Sequence, residues 1–246
     1  MTHEATLEKL QQMRLTGMLR AFRQTMASNF AGNFTADELI AHLVDAEWDD
    51  RHNRQFDRLL KNARFRYKTS FEQIDFSQPR GLDKNLLLRL SGCEWLNKAE
   101  NVIITGATGV GKSYLACALG HQACLNGSKA LYFNSLKLFS QLKFAKASGT
   151  YDKELKRIQK QSLLVLDDFG LHPIDQQSKL MLLELLEDRY GENSTLIASQ
   201  FPVENWYELL DSPTVADAIL DRIVHNSYHI QLKGESMRKT MKIPSG

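Results

Sequence analysis

Residues 105–116 read TGATGVGKSYLA and follow the apolar run Asn101-Val-Ile-Ile104. Glycine weakens both strands and helices. Three of them between a strand-like and a helix-like segment therefore point to a backbone geometry that other residues resist. The spacing from Gly106 to Gly111, Lys112 and Ser113 is that of a phosphate-binding loop. Across Gly106, Ala107, Thr108, Gly109, Val110 and Gly111, successive N–H groups would point into one concavity that receives nucleotide oxygens. Lys112 would reach the β- and γ-phosphates, and the Ser113 hydroxyl would hold Mg²⁺. The helix that begins there, with Tyr114 in its first turn, adds a positive dipole end. The chain is expected to bind ATP and Mg²⁺.

The 246 residues allow one large domain, or a medium one with a small appendage. A hydrophobic content of 43% supports a real core. The 31 basic and 29 acidic residues leave a net charge of only +2, so a surface for a polyanion must come from local clustering. No apolar run reaches the roughly 18 residues of a membrane span. The N-terminal MTHEATLEKLQQM carries acids and no continuous apolar stretch, unlike a secretory signal. Cys93, Cys117 and Cys124 are odd in number and lack metal-ligand spacing. A reducing cytoplasm and no membrane contact are expected.

Residues 1–72 contain no proline, and their apolar residues recur at helical spacing. Leu7, Leu10, Leu15, Met18, Leu19, Phe22 and Met26 form one stripe, with Gly17 a weak point in it. AGN at 31–33 breaks the chain, and Thr35-Ala-Asp-Glu38 reads as a capping box that opens a long helix. This region is read as a small all-helical N-terminal domain for assembly or DNA contact. Residues 73–246 form the second domain, with 73–100 as its linker. There, strand candidates Val102–Thr105, Ala130–Phe133, Leu163–Leu166, Leu196–Ser199 and His229–Leu232 alternate with helical stretches. That order implies an α/β fold with a mainly parallel five-stranded sheet flanked by helices.

A second motif, SLLVLDDFG at 162–170, delivers Asp167 to the C-terminal edge of such a sheet, where these folds bind ligands. Asp167 would bind Mg²⁺ directly or through water, and Asp168 would orient or deprotonate the attacking water. With GATGVGKS, this resembles the AAA+ ATPases. Within them the chain is similar over nearly its whole length to IstB-like transposition helpers, in the branch that also holds DnaC-like helicase loaders. The more specific likeness lies in AEWDDRHNRQ, NARFRYKTSFEQIDF, SQFPVENW, ADAILDRIVH and LKGESMRK. The resemblance implies a P-loop AAA+ core whose sensor is Ser199 or Gln200, beside the γ-phosphate. It also implies that Arg222 is an arginine finger acting on a neighbouring subunit's nucleotide. The bland alternative for Arg222 is an ion pair with Asp221. Many AAA+ proteins carry glutamate where this chain has Asp168, although the Asp-Asp pair is familiar in this branch. Only 24 residues follow Arg222, so no C-terminal helical lid is expected. Arg238 is the nearest candidate for a second sensor.

Two basic stretches are candidate DNA surfaces. Residues 51–68, RHNRQFDRLLKNARFRYK, follow an acidic stretch and place Phe65 and Tyr67 between Arg64, Arg66 and Lys68. That mix suits a nucleic-acid backbone, and acids early with bases late also suit a helix macrodipole. Residues 136–160 hold seven basic residues, among which Lys143 and Lys146 are the preferred phosphate contacts. The tail adds Lys233, Arg238, Lys239 and Lys242. The resemblance implies an ATP-dependent DNA-binding ATPase that assists an insertion-sequence transposase. It would form a homo-oligomer with ATP, bind target DNA with duplex preferred, and recruit or activate the transposase. The alternative is a DnaC-like replicative helicase loader.

Overall fold

The computed structural model describes residues 3–28, 34–77 and 80–237. The AGN break, Arg238, Lys239 and Lys242 lie outside them. The chain divides into two compact units, Met1–Arg58 and Leu59–Gly246.

The first unit contains α1 (His3–Gln12), α2 (Thr16–Ala27) and most of α3 (Ala36–Ala63). The capping box at the head of α3 forms as expected: Thr35 N–H donates to Glu38 Oε2 (2.8 Å), and Glu38 N–H to Thr35 Oγ1 (3.3 Å). The large residues of the N-terminal stripe are only half-buried. The buried positions of α2 are the small Gly17, Ala21 and Thr25, four apart on one face. Gly17 is the point of closest approach to α3, because a Cβ there would lie 2.2 Å from the Ala46 carbonyl oxygen. Its N–H donates to the buried Glu47 carboxylate at 2.8 Å.

The second unit is built on β1 (Asn101–Gly106), β2 (Ala130–Asn134), β3 (Leu163–Phe169), β4 (Ser194–Ser199) and β5 (Ser227–Leu232). Every pairing is parallel, in the order β2-β3-β4-β1-β5. All five expected strands are present. The central ones are apolar along nearly their whole length because helices cover both faces. After α4 (Lys84–Ser91) and α5 (Glu94–Asn97), the crossovers are α6 (Lys112–Leu125), the pair α7 (Ser135–Ala147) and α8 (Tyr151–Gln159), α9 (Gln176–Glu187), then α10 (Trp206–Leu210) with α11 (Pro213–Val224). The basic stretch 136–160 is thus the α7–α8 hairpin. Strand β3 runs past Leu166 to Phe169, with a register irregularity between them. Phe169 is fully buried against Trp206, ring centroids 4.8 Å apart, which draws the chain back into the sheet after Asp167 and Asp168.

Residues 59–72, read from sequence as part of the N-terminal domain, pack within the second unit. The chain turns at Arg64 (φ 57°). The Phe65 ring then seats on α6 where Gly120 leaves room: a Cβ there would lie 2.4 Å from the ring. A helical period carries no mark for the point at which a helix changes the body it packs on.

Arg189 is fully buried without a carboxylate partner among the described residues. It donates to the carbonyls of Ile158 (3.1 Å) and Gln161 (2.9 Å) and to Thr195 Oγ1 (3.2 Å), joining the starts of β3 and β4 to the end of α8.

Candidate nucleotide-binding site

The phosphate loop leaves β1 and enters α6 through Gly106, Gly109 and Gly111, all at positive φ (146°, 87° and 102°). A Cβ at Gly106 would lie 2.3 Å from the Leu232 carbonyl oxygen of neighbouring β5, and one at Gly109 would lie 2.1 Å from Ser236 Oγ. Val110 is fully buried and anchors the loop from below. Lys112 folds back over it, donating to the carbonyls of Gly106 (2.7 Å) and Ala107 (2.8 Å). Burial pushes the Lys112 ammonium below its ordinary pKa, and the charges of Asp167 and Asp168 oppose that shift.

Asp167 has no exposed surface, and both its oxygens are engaged. Ser113 Oγ donates to Oδ1 at 2.9 Å, and the Tyr132 hydroxyl to Oδ2 at 2.6 Å. Burial first, then the Asp167 carboxylate, pushes the Tyr132 phenol up, so it remains a donor. A hydroxyl and a carboxylate side by side are hard oxygen donors of the kind Mg²⁺ takes alongside phosphate oxygens and water. The residues present fit the ion that the motifs imply. Asp168 receives Asn134 Nδ2 at 2.9 Å and Arg66 Nη1 at 3.2 Å.

Of the two sensor candidates, Ser199 is fully buried and donates to the Phe169 carbonyl at 2.8 Å. Gln200 reaches the site instead, its Oε1 accepting from Thr108 Oγ1 at 3.1 Å. A cavity of about 580 Å³ gathers Thr108, Gly109, Gly111–Leu115, Asp168 and Gln200, and its volume suits a nucleotide. Its other wall was not read from sequence. Tyr67, Gln73, Ile74, Arg80, Leu82, Leu232 and Met237 come from segments on either side of the core. Met237 N–H donates to the Gly109 carbonyl at 2.9 Å, laying the chain after β5 against the loop. No local pattern marks these positions, because each is defined by a neighbour far away in the chain.

Arg222 lies on α11 and does not border this cavity. Its partners are Glu187 on α9 and the Ala218 carbonyl (2.8 Å), in place of the alternative pairing with Asp221. Asp221 faces His225 one turn along, at 3.2 Å. A side chain on a helix points along its own face, and for Arg222 that face is covered by α9.

The basic candidates divide. Arg66, read as a DNA contact, is exposed and borders the nucleotide cavity, where its guanidinium meets the acid pair. Arg64 is exposed. Lys143 pairs with Asp175, whose carboxyl is held down to about 2 by that hydrogen bond and then by the Ser178 N–H. Lys146 lies over the Tyr151 ring, 5.9 Å from its centroid. The three cysteines are buried free thiols, pushed up to about 11 for Cys93 and Cys117 and about 12 for Cys124 by burial. They are poor nucleophiles. Among the described residues no helix is long and apolar enough to cross a membrane.

The parallel sheet order, the phosphate loop and the paired acids near the end of β3 define a P-loop AAA+ ATPase domain. Solved structures share the fold. The DnaI structure matches with a TM-score of 0.58 at 22% identity, over 72% of this chain and 94% of that one. The DnaC helicase loader gives 0.52 at 21%, over 71% and 98%. The chain belongs to the family of IstB-like ATP binding proteins, whose model matches residues 8–245. An insertion-sequence ATP-binding protein of Sinorhizobium fredii is 42% identical over 96% of this chain and 97% of its own. One from insertion sequence IS1162 of Pseudomonas fluorescens is 37% identical over 82% and 88%.

Proposed function

We propose that this ATPase works as a DNA-bound assistant of an insertion-sequence transposase. It would hydrolyse ATP with Mg²⁺ at sites completed between subunits, bind target DNA as duplex, and recruit or activate the transposase, in the cytoplasm. Full-length similarity to insertion-sequence proteins supports this reading over that of a helicase loader, for which the likeness is one of fold. Ser113 and Asp167 would hold Mg²⁺, which neutralises charge on the β- and γ-phosphates when bound. Lys112 exchanges its two carbonyl partners for phosphate oxygens. Asp168 accepts the proton of the attacking water, and Gln200 gives a polar contact at the γ-phosphate.

The observation that carries the interface reading is the position of Arg222. It has a finger's chemistry yet stands outside the cavity of its own chain, so a nucleotide it serves belongs to a neighbour. Arg222→Ala should bind ATP and lose hydrolysis by about 10³-fold. Mixing it with Lys112→Ala creates interfaces that join one intact loop to one intact arginine, and these should recover activity. Mixed assemblies as inactive as either parent would reject action in trans. Omitting Mg²⁺ should abolish turnover.

For DNA, Lys143, Lys146 and Arg64 are the proposed phosphate contacts. Lys143 exchanges Asp175 for a phosphate, a trade of one anion for another. Replacing Lys143 and Lys146 by Ala should flatten the salt dependence of duplex binding in anisotropy titrations, each lost contact removing about 0.9 from the slope. A strong preference for single strands would favour the loader reading.

A further inference from the structure

Asp168, the proposed water-activating carboxylate, sits in a conformation that needs support. Its φ of 55° lies in the left-handed region, which a non-glycine residue keeps only where neighbours hold it. Two donors act on it, and both meet the same oxygen, Oδ2: Asn134 Nδ2 and Arg66 Nη1. Oδ1 takes no hydrogen bond among the described residues and belongs to a side chain that borders the cavity. Arg66 comes from outside the sheet, yet both its flanks are fixed. Phe65 is seated over Gly120, and the Tyr67 ring lies beneath the guanidinium, 5.4 Å from centroid to Cζ. The same Nη1 is 3.6 Å from Asp167 Oδ2, so one cation serves two adjacent carboxylates.

We infer that Arg66 is a positioning residue for hydrolysis, acting in cis: it pins Oδ2 of Asp168 so that Oδ1 is left to the attacking water. The inference rests on the reading of Asp168 as the water-activating group. It assigns to the segment ahead of the core a part in chemistry that the phosphate loop and the two acids do not complete alone. Small misplacement of a reacting group costs rate while leaving substrate affinity intact. Removing Arg66 should therefore act on kcat.

The test is steady-state kinetics and nucleotide affinity for Arg66→Ala, Arg66→Gln, Arg66→Lys, Asp168→Asn and the double variant Arg66→Ala/Asp168→Asn. The Ala and Gln variants should lose about tenfold in kcat, the worth of one hydrogen bond to a charged group, with KM and affinity unchanged. Lys should restore part of the loss. Millimolar guanidinium ion should raise the turnover of Arg66→Ala and not that of Asp168→Asn. The double variant should be no slower than Asp168→Asn, since the two residues act as one unit. An unchanged kcat, a loss carried by KM, or additive losses in the double variant would each overturn the inference. A slow Asp168→Asn beside a normal Arg66→Ala removes Arg66 alone. Normal turnover by Asp168→Asn removes the reading of Asp168, and the role of Arg66 with it.

Discussion

At the scale of single residues, Lys112 shows how a motif and its surroundings divide the work. Its side chain is buried and its ammonium is held by two carbonyls of its own loop, so it stands over the concavity before any phosphate contact is made. Lys112→Ala should abolish ATP binding in calorimetry, and affinity equal to the parent's would reject the phosphate-loop assignment. The loop and the acid pair were legible because their chemistry depends on near neighbours in the chain. Which of Ser199 and Gln200 borders the cavity was not, since β4 is buried at every position and the chain turns toward the cavity only after Ser199. Arg66 and Asn134 were also hidden in this role. Their contacts with Asp168 span 102 and 34 residues of chain, and a basic cluster reads the same whether it faces DNA or a carboxylate at the edge of a cavity.

At the scale of elements, the pairing of α2 with α3 turns a local rule around. By helix propensity alone, Gly17→Ala should stabilise by about 1 kcal/mol. The structure reverses the sign, because the added methyl would meet the Ala46 carbonyl and Asp50 Cβ at 2.2 and 2.8 Å, and a helix backbone cannot step aside. A loss of about 2 kcal/mol is expected, read as weaker amide-exchange protection of residues 16–27. The same contact is sensitive to acid. Burial raises the Glu47 pKa, but the Arg51 hydrogen bond, then the Met18 and Gly17 N–H donors, outweigh it, so the carboxyl ends below its ordinary value. A depressed carboxylate contributes stability that is fully present above the unfolded value and is lost as pH falls through the folded one. Protection of α2 should therefore decline below about pH 4.5, and Glu47→Gln should reduce that dependence. Asp50 shifts the same way, chiefly through the Thr16 hydroxyl, so some pH dependence will remain in the variant.

At the scale of the whole molecule, Arg189 joins two strand starts to a helix end. Arg189→Met keeps the bulk but leaves several buried carbonyls without donors. It should cost about 3 kcal/mol or more in denaturant unfolding, and a loss under 1 kcal/mol would remove it as a tie. Its role was invisible in the sequence, where an arginine after an acidic helix reads as a surface charge. The sequence by itself determined the element order, the parallel sheet, the phosphate loop and the two acids near the end of β3. Hydrophobic period, glycine spacing and strand ends are properties of neighbouring residues, and burial of both sheet faces forces the crossovers. Only the tertiary structure decided which body residues 59–72 pack on, which anion answers Arg222, which side chains close the nucleotide cavity, and that Arg66 meets Asp168. Each of those outcomes is a pairing between groups distant in the chain. Such pairs are selected by packing and by the cost of leaving a buried charge or donor unmatched, which no local pattern records.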